Sequence, residues 1–225
     1  MPTFMQIIEI LKGLDTQLFL LINGLHSPFF DNFMWIVSTK FSWIPLYLSV
    51  LYLLIRTHKK ESIWIILSIV LSIVISDQLA SGLLKELVKR LRPSHVDDLK
   101  SVIHLVKGYE GSLYGFASSH AANSVGFALL TSLIFTDRFY SLSMLFWALL
   151  VSYSRVYLGV HYPGDILGGI VIGTSAAFFC YWLIYKIKPQ LLTHKVLRPR
   201  ESHTIIPLSI LVLSLLTIAV YSFVG

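Results

Sequence analysis

Three short stretches of the sequence bring together residue types that can bind an anion and attack it. They combine cations, hydroxyls, imidazoles and a carboxylate, and long apolar segments separate them: KELVKRLRP (85–93), ASSH (117–120) and SRVYLGVHYPGD (154–165). Ionisable residues at the edges of membrane-length apolar segments are costly to place and are usually functional. These stretches therefore hold the candidate functional residues of the chain.

The first stretch carries cations at a regular spacing. Lys85 and Arg92 lie seven residues apart, and on one helix, at about 100° per residue, both side chains would share nearly the same face. Two cations on one face require an anion. The alternative is that Lys85, with Lys89 and Arg90, extends its charge to the membrane interface. Pro93 disfavours helical backbone in the residue before it, so Arg92 is predicted to lie at a helix end.

The second stretch lies where a polar loop meets a helix. Ser118 and Ser119 are residue types that cap helices, and the free backbone N–H groups of a helix start face an incoming anion. His120 alone would be an ordinary helix-end residue. Its place beside two other anion-binding stretches makes it a candidate for chemistry.

The third stretch pairs an imidazole with a carboxylate. Asp165 follows His161 by four residues and falls in the first turn of the next helix, while Arg155 ends the helix before. At this spacing the carboxylate can accept a hydrogen bond from one imidazole nitrogen, which leaves the other free to attack. The helix N-terminus also favours the ionised form of Asp165.

The elements that must position these residues are membrane helices. Of 225 residues, 55% are hydrophobic and 13% are charged, whereas a soluble domain carries roughly 25% charged residues. Apolar runs of about 20 residues, each long enough to cross a hydrocarbon core of about 30 Å, recur along the chain. They predict an all-α polytopic membrane helix bundle with six transmembrane helices, at 31–55, 63–91, 121–135, 141–157, 164–187 and 205–224.

A further helix at 4–24 carries Glu9, Lys12 and Asp15 among apolar positions, so it either lies at the membrane interface or spans. The helix that starts near residue 164 contains glycines four residues apart, which predicts close helix packing in lipid.

Composition excludes a disordered chain, a disulfide-stapled secreted module and, despite a net charge of +6, a nucleic-acid binder. The lone Cys180 allows neither an intrachain disulfide nor a thiol-based metal site.

Alternation of the spans places the three stretches on one side of the membrane. The other side receives the basic segments at 56–60, Arg138 and 186–200, and it holds slightly more Lys and Arg. The positive-inside rule therefore predicts that this second side is cytoplasmic. The candidate site would then lie on the periplasmic or extracellular face of the cytoplasmic (inner) membrane.

The three stretches resemble the signature of the type 2 phosphatidic acid phosphatase superfamily, which reads K-x6-RP, then PSGH, then SR-x5-H-x3-D. The first and third parts match at every fixed position. In the second, Ala117 stands where the family has proline and Ser119 where it usually has glycine. The resemblance covers about residues 60–187 of a predicted single domain, 1–225, and leaves the helix at 4–24 and the span at 205–224 outside it.

The resemblance implies a role for each matching residue. His161 would be the nucleophile that takes the phosphoryl group as a phosphohistidine, Asp165 would orient it, and His120 would protonate the leaving oxygen and then activate water. The residues that would hold the phosphate oxygens are Lys85, Arg92, Arg155, Ser118 and the backbone near Ser119. The resemblance implies no metal and no other cofactor.

The implied function is that of an integral membrane phosphatase acting on a lipid phosphate or pyrophosphate in the bilayer. Undecaprenyl pyrophosphate is the first candidate substrate, and phosphatidylglycerol phosphate, phosphatidic acid and lipid A phosphates are the alternatives. A lipid-binding or transport protein without turnover is a rival hypothesis from another class. Vanadate-dependent haloperoxidases share the site pattern, but they resemble soluble helical proteins, and six spans argue against them.

Other polar residues have simpler interpretations. Asp77 is predicted to face the bundle interior in a polar network, and Lys40, Trp35 and Trp43 to be interface anchors or helix contacts. The loop 94–116 is predicted to contain a partly ordered lid around Val102–Lys107. Its charged residues are interpreted as solvated loop charge that could tune substrate choice: His95, Asp97, Asp98, His104 and Glu110.

Overall fold

The structure, a computed structural model, describes residues 3–192 and 201–224. The predicted all-α fold is confirmed, because this part of the chain contains nine α-helices and no β-strand. The helices are α1 Phe4–Asn23, α2 Pro28–Ser38, α3 Ile44–His58, α4 Ser62–Asp77, α5 Lys85–Val88, α6 Ser119–Phe135, α7 Arg138–Tyr157, α8 Pro163–Ile187 and α9 Glu201–Val224. Short 3-10 turns lie at Lys40–Trp43, Lys59–Glu61, Pro93–His95, Asp97–Leu99, Val106–Gly108 and Pro189–Leu192.

The number of membrane crossings differs from the prediction. By length and hydropathy, the segments of the described residues that can span a membrane are Lys40–Val88, Arg138–Tyr157, Pro163–Ile187 and Thr204–Val224. The first of these holds both α3 and α4, which meet at a turn where Lys59 has φ 51°. Helix α6 is apolar but shorter. Six crossings are therefore not confirmed, and whether α1 spans or lies at the interface stays a prediction.

The predicted span at 31–55 is wrong, because the chain breaks there into α2 and α3. Thr39 is extended, and Pro45 occupies the first turn of α3. A helix that ran on from α2 would bring the proline ring against the carbonyl four residues earlier. The indole of Trp43 is buried and donates a 2.8 Å hydrogen bond to the carbonyl of Val37 across this break.

The helix that carries Lys85 also ends earlier than predicted. A π-helical segment, Gln78–Leu84, joins α4 to α5, and α5 ends where Lys89 takes a left-handed conformation with φ 49°. Arg92 lies beyond it in extended backbone, as the proline that follows requires. The prediction that Lys85 and Arg92 share one helix face is therefore wrong, and a turn brings Arg92 back to the site.

Helix α6 lies at the centre of the bundle and packs against α4, α7 and α8. The predicted close packing of the α8 glycines is confirmed. A Cβ atom at Gly173 would overlap the carbonyl of Ala122, and one at Gly169 would overlap the carbonyl of Ser118. The backbone of α8 therefore rests directly on α6, which sets the N-termini of the two helices side by side.

The outer surface of the bundle is apolar. Only 22% of the apolar part of the segment Thr204–Val224 is buried. Large hydrophobic side chains such as Leu67, Val70 and Leu213 are exposed. An apolar surface of this extent requires lipid around it.

The predicted basic linker lies between α8 and α9. One of its cations, Lys188, approaches Glu61 at 3.9 Å. Three other cations of that linker lie outside the described residues: Lys195, Arg198 and Arg200.

Candidate active site

The three stretches meet at one end of the bundle, where α5 ends, α6 begins, α7 ends and α8 begins. The amide of Ser118 donates to the carbonyl of Asp165 at 3.0 Å, and Arg92 Nη1 donates to the carbonyl of Val160 at 3.1 Å. The structure thus brings all the predicted site residues together. Five of these residues are buried: Arg92, Ser118, Arg155, His161 and Asp165. The other three are half-buried: Lys85, Ser119 and His120.

The predicted contact between His161 and Asp165 is present. His161 Nδ1 lies 3.3 Å from Asp165 Oδ2, and the same oxygen accepts a 3.1 Å hydrogen bond from the amide of Tyr162. The first turn of α8 positions the carboxylate, since Pro163 starts the helix two residues after His161. With its proton on Nδ1, His161 keeps the lone pair of Nε2 for an electrophile.

The surroundings hold the imidazole of His161 neutral. Burial lowers the pKa of His161 well below its ordinary value, and the nearby positive charges lower it further: Arg92, Arg155, Lys85 and Arg90. Burial, and then the charge of Arg155, lower the pKa of Arg92 to about 10. At neutral pH the site therefore presents a neutral nucleophile beside charged guanidinium groups.

Arg92 braces the loop above the site. Besides Val160, its guanidinium donates to the carbonyl of Tyr114 at 3.2 Å and to Ser112 Oγ at 3.1 Å. Gly111 has φ 72°, and a Cβ there would lie 2.8 Å from Arg92 Nη1, so this loop position favours glycine. Among the residues that the structure describes, no carboxylate is a hydrogen-bond partner of Arg92, so no such contact there neutralises its positive charge.

Arg155 and Lys85 approach from two other helices. Arg155 ends α7, donates to Ser38 Oγ of α2, and has its Cζ 5.6 Å from the ring centre of Tyr109. Its Nε is buried without a hydrogen-bond partner among the described residues. Lys85 Nζ is 3.4 Å from Ser81 Oγ, and the charges of Arg92 and Arg155 act on it. These cations together form a pocket of positive charge.

The serines start α6. Ser118 Oγ accepts a 3.5 Å hydrogen bond from the amide of Ala121, so its buried hydroxyl caps the helix as predicted. The amides of Ser119 and His120 lie in the first turn, where a helix offers no acceptor of its own. They are directed at the same end of the bundle as the cations, as an anion site requires.

His120 stands between two cavities. The larger, about 450 Å³, is apolar, lies between α3, α4, α6 and α7, and has Lys40, His120 and Asn123 among its lining residues. The smaller, about 150 Å³, is lined by His120, Lys40, Tyr109 and Arg155 among others. His120 is therefore the site residue that contacts both an apolar cavity and a cationic one.

Two residues of the site, Arg90 and Asp15, were not predicted. Arg90 donates a hydrogen bond to Asp165 Oδ1 at 3.0 Å and to Asp15 Oδ2 at 2.7 Å. The alternative interpretation, in which Arg90 extends its charge to the membrane interface, is therefore wrong. The only available signal was Asp15 itself, an acid among apolar residues of a helix that needs a partner.

Several of the simpler interpretations are also corrected. Lys40 lines both cavities beside His120 and is not only an interface anchor. The loop residue His104 is not a solvated charge, since its Nε2 lies 2.8 Å from Asp31 Oδ2 and Asn23 binds its backbone. Asp77 accepts a 3.3 Å hydrogen bond from Asn123, as a polar network in the interior requires. Within the described residues no group of three or more His, Cys, Asp or Glu could hold a metal ion.

Comparison with known proteins identifies relatives over most of the chain. A family model described as PAP2 superfamily matches residues 61–189. A lipid A 4'-phosphatase of Bacteroides thetaiotaomicron is 38% identical over 186 residues, which are 82% of this chain and 83% of that protein. One of Porphyromonas gingivalis is 37% identical over 174 residues, or 77% of this chain and 74% of that protein.

More distant proteins share the fold or part of the sequence. An undecaprenyl-diphosphatase of Sulfolobus acidocaldarius is 28% identical over 169 residues, 74% of this chain and 76% of that protein. The crystal structure of a PAP2-type phosphatidylglycerolphosphate phosphatase from Bacillus subtilis superposes with a TM-score of 0.60 at 22% identity. The superposition covers 80% of this chain and 88% of that one, which establishes the likeness of the fold.

Proposed function

This chain belongs to the PAP2 superfamily of membrane lipid phosphatases, and from that premise we propose that it hydrolyses a phosphate monoester of a lipid A-type glycolipid and releases inorganic phosphate. One observation carries the chemistry. A neutral His161, held at Nδ1 by Asp165, lies within electrostatic reach of Arg92 and Arg155. Neither arginine has an ion pair among the described residues. A phosphate would supply the missing negative charge.

The first chemical step is attack by His161 Nε2 on phosphorus. The N–P bond forms as the P–O bond to the lipid breaks, and the electron pair of that bond leaves on the lipid oxygen. Burial, and then the charge of Arg155, lower the pKa of His120 to about 2, and the negative charge of a bound phosphate raises it again, so that His120 takes up the proton it needs to act as an acid. The protonated His120 then donates this proton to the leaving oxygen, so the lipid departs as an alcohol. Water then attacks the phosphohistidine, loses a proton to His120, and releases inorganic phosphate with His161 restored.

The cations act on the charge of the transferring group. Arg92, Arg155 and Lys85 surround the position where the phosphoryl oxygens would lie, together with the first-turn amides of α6. Phosphoryl transfer depends mostly on positioning and on stabilisation of equatorial charge. Because the groups are buried and already held by Ser38, Ser112 and backbone carbonyls, little reorganisation is required during the reaction.

The cavities support the assignment of the two histidines. An acid must face the leaving group, which in this reaction is the lipid. The apolar cavity of about 450 Å³ has His120 in its lining, whereas His161 does not line it. An acyl chain in this cavity would bring the scissile oxygen to His120 and the phosphorus beyond it.

The choice of substrate rests on the relatives. Two lipid A 4'-phosphatases are 38% and 37% identical to this chain, whereas the undecaprenyl-diphosphatase is 28% identical. Undecaprenyl pyrophosphate, the first candidate from sequence, thus becomes the second. For the location we retain the outer face of the cytoplasmic membrane, which the distribution of Lys and Arg supports.

The test is phosphate release by detergent-purified protein from four lipids in excess EDTA: lipid A bisphosphate, undecaprenyl pyrophosphate, phosphatidylglycerol phosphate and phosphatidic acid. Mass spectrometry of the lipid A product distinguishes loss of the 4'-phosphate from loss of the 1-phosphate. We expect the 4'-phosphate to be released fastest. His161→Gln should lower release by about 10³-fold or more, as expected for a nucleophile.

The matched control is His26→Gln, since His26 is exposed and distant in sequence from the three stretches. It should retain wild-type release. Faster release from undecaprenyl pyrophosphate than from lipid A would overturn the substrate proposal. Release that persists in folded His161→Gln protein would overturn the nucleophile assignment.

A further inference from the structure

The hydrogen bonds behind His161 continue past Asp165. While Asp165 Oδ2 faces the imidazole, Oδ1 accepts a 3.0 Å hydrogen bond from Arg90 Nη1. Arg90 Nη2 donates to Asp15 Oδ2 at 2.7 Å. Asp15, Arg90, Asp165 and His161 therefore form one connected chain, which begins on α1 and ends at the imidazole.

The same two residues also hold the turn that carries this pair. Asp15 Oδ1 accepts a 2.7 Å hydrogen bond from the amide of Gly164, where a Cβ atom would lie 2.6 Å from Asp15 Oδ2. The guanidinium carbon of Arg90 lies 4.0 Å from the ring centre of Tyr162. Tyr162 and Gly164, which lie in the turn between His161 and Asp165, thus both contact residues from other parts of the chain.

The charges of these hydrogen-bonded residues explain how Arg90 and Asp15 affect Asp165. Asp165 is fully buried, and the side chains of Arg90 and Asp15 are 24% and 15% exposed. Without Arg90, the buried carboxylate would lose its directly bound cation and would take up a proton more readily. Without Asp15, Arg90 would act on Asp165 undivided and would compete with the imidazole N–H for it.

We propose that Asp15 and Arg90 are positioning residues for phosphoryl transfer and that α1 completes the active site. The inference rests on the proposed role of His161. Helix α1 lies outside residues 61–189, which match the family. Asp15 therefore belongs to a part of the chain that the three stretches do not include. Neither residue touches the substrate, so both act through Asp165.

The experiment compares Arg90→Gln with Asp15→Asn in the full-length protein, using the fastest lipid of the panel. We expect each to lower kcat by about 10- to 100-fold, the usual effect of losing a group that orients a reacting residue. KM should change by less than about twofold, because no substrate contact is lost.

The pH profile of kcat separates positioning from a structural role. The charged and titratable groups that face Asp165 are His161, Arg90, Arg92, Lys85, Tyr162 and, through Arg90, Asp15. Arg90→Gln removes a cation, so activity should begin to fall at a pH about one unit higher on acidification. Asp15→Asn leaves that cation unopposed, so its acid limb should stay in place or move to lower pH. General loosening of the fold would not separate the two variants in this way.

Two further variants test the connection. Arg90→Lys keeps the charge but cannot bridge both carboxylates, so it should restore the pH profile and only part of kcat. The double variant Asp15→Asn/Arg90→Gln should be no slower than Arg90→Gln alone, because the two act as one unit. Should Arg90→Gln fail to fold, Arg90→Lys and Asp15→Asn still decide the question.

Matched controls are Lys12→Gln on α1 and Lys89→Gln beside Arg90, which remove exposed cations. Both should behave like wild type. Wild-type kcat and pH profile in both Arg90→Gln and Asp15→Asn, with His161→Gln inactive, would overturn this inference alone. Activity in His161→Gln would instead overturn the proposed function on which it rests.

Discussion

Arg92 and Arg155 are nearly buried guanidinium groups without an ion pair in the described part of the chain. A buried charge is costly unless a partner compensates it. Arg155 shows this most clearly, since its Nε lacks even a hydrogen bond there. In the proposed reaction, a dianionic phosphate would balance these charges, and its binding energy would act where the reaction needs it.

Arg155→Lys tests whether geometry matters beyond charge. A lysine cannot both bind Ser38, as the guanidinium of Arg155 does, and bind the proposed phosphate at the same time. We expect kcat/KM for the best lipid to fall by about 100-fold, with an unfolding midpoint close to wild type. The control is Arg138→Lys, the same change at the exposed start of the same helix, which should have no effect. Equal loss in both variants would contradict the prediction.

At the scale of elements, the site depends on how closely α8 lies against α6. Asp165 lies in the first turn of α8 and His161 just before it, whereas Ser119 and His120 belong to the start of α6. The glycines at 169 and 173 let the two backbones touch. A wider separation would move His161 and Asp165 away from His120 and the first-turn amides of α6.

Gly173→Ala tests this packing. The added methyl group would meet the carbonyl of Ala122, a backbone atom that cannot rotate away, so we expect the free energy of unfolding to fall by about 2 kcal/mol. Activity should fall with it. Gly13→Ala is the matched control, because nothing lies within 4 Å of its Cβ position. It should be neutral or stabilising by up to about 1 kcal/mol. Thermal unfolding in detergent measures both, and equal midpoints would refute the packing argument.

At the scale of the whole molecule, four helices build an apolar cavity that leads to the site. The cavity of about 450 Å³ runs between α3, α4, α6 and α7 and ends at His120. The break between α2 and α3 contributes to it, since Ser38, Lys40 and Trp43 are among its lining residues. In the proposed reaction, a lipid would reach His161 through this cavity from within the bilayer.

Leu51→Trp should obstruct this cavity, since Leu51 lines it. We expect kcat/KM for a long-chain lipid phosphate to fall by about tenfold, whereas hydrolysis of a short-chain, water-soluble phosphate should persist. Leu48→Trp is the control on the same helix, because Leu48 is 58% exposed and does not line the cavity. If both variants lost activity toward both substrates equally, the cavity would not be the lipid path.

By itself the sequence determined the all-α membrane fold and the stretches that meet at the site. Hydropathy and composition are local properties, so apolar runs identify helices without knowledge of their neighbours. The contact of His161 with Asp165 is also local, since only four residues separate them in sequence. Alternation of helices across a bilayer then suffices to put three distant stretches at one end.

The tertiary structure alone decided where the chain breaks and which distant charges pair. Arg90 is 75 residues from each of its two carboxylates, and nothing in its neighbourhood in sequence separates a buried ion pair from a cation at the interface. Arg92 reached the site through a turn and not along a helix. Such contacts depend on how whole helices pack, because the energy of an ion pair is set by the burial and orientation that packing imposes.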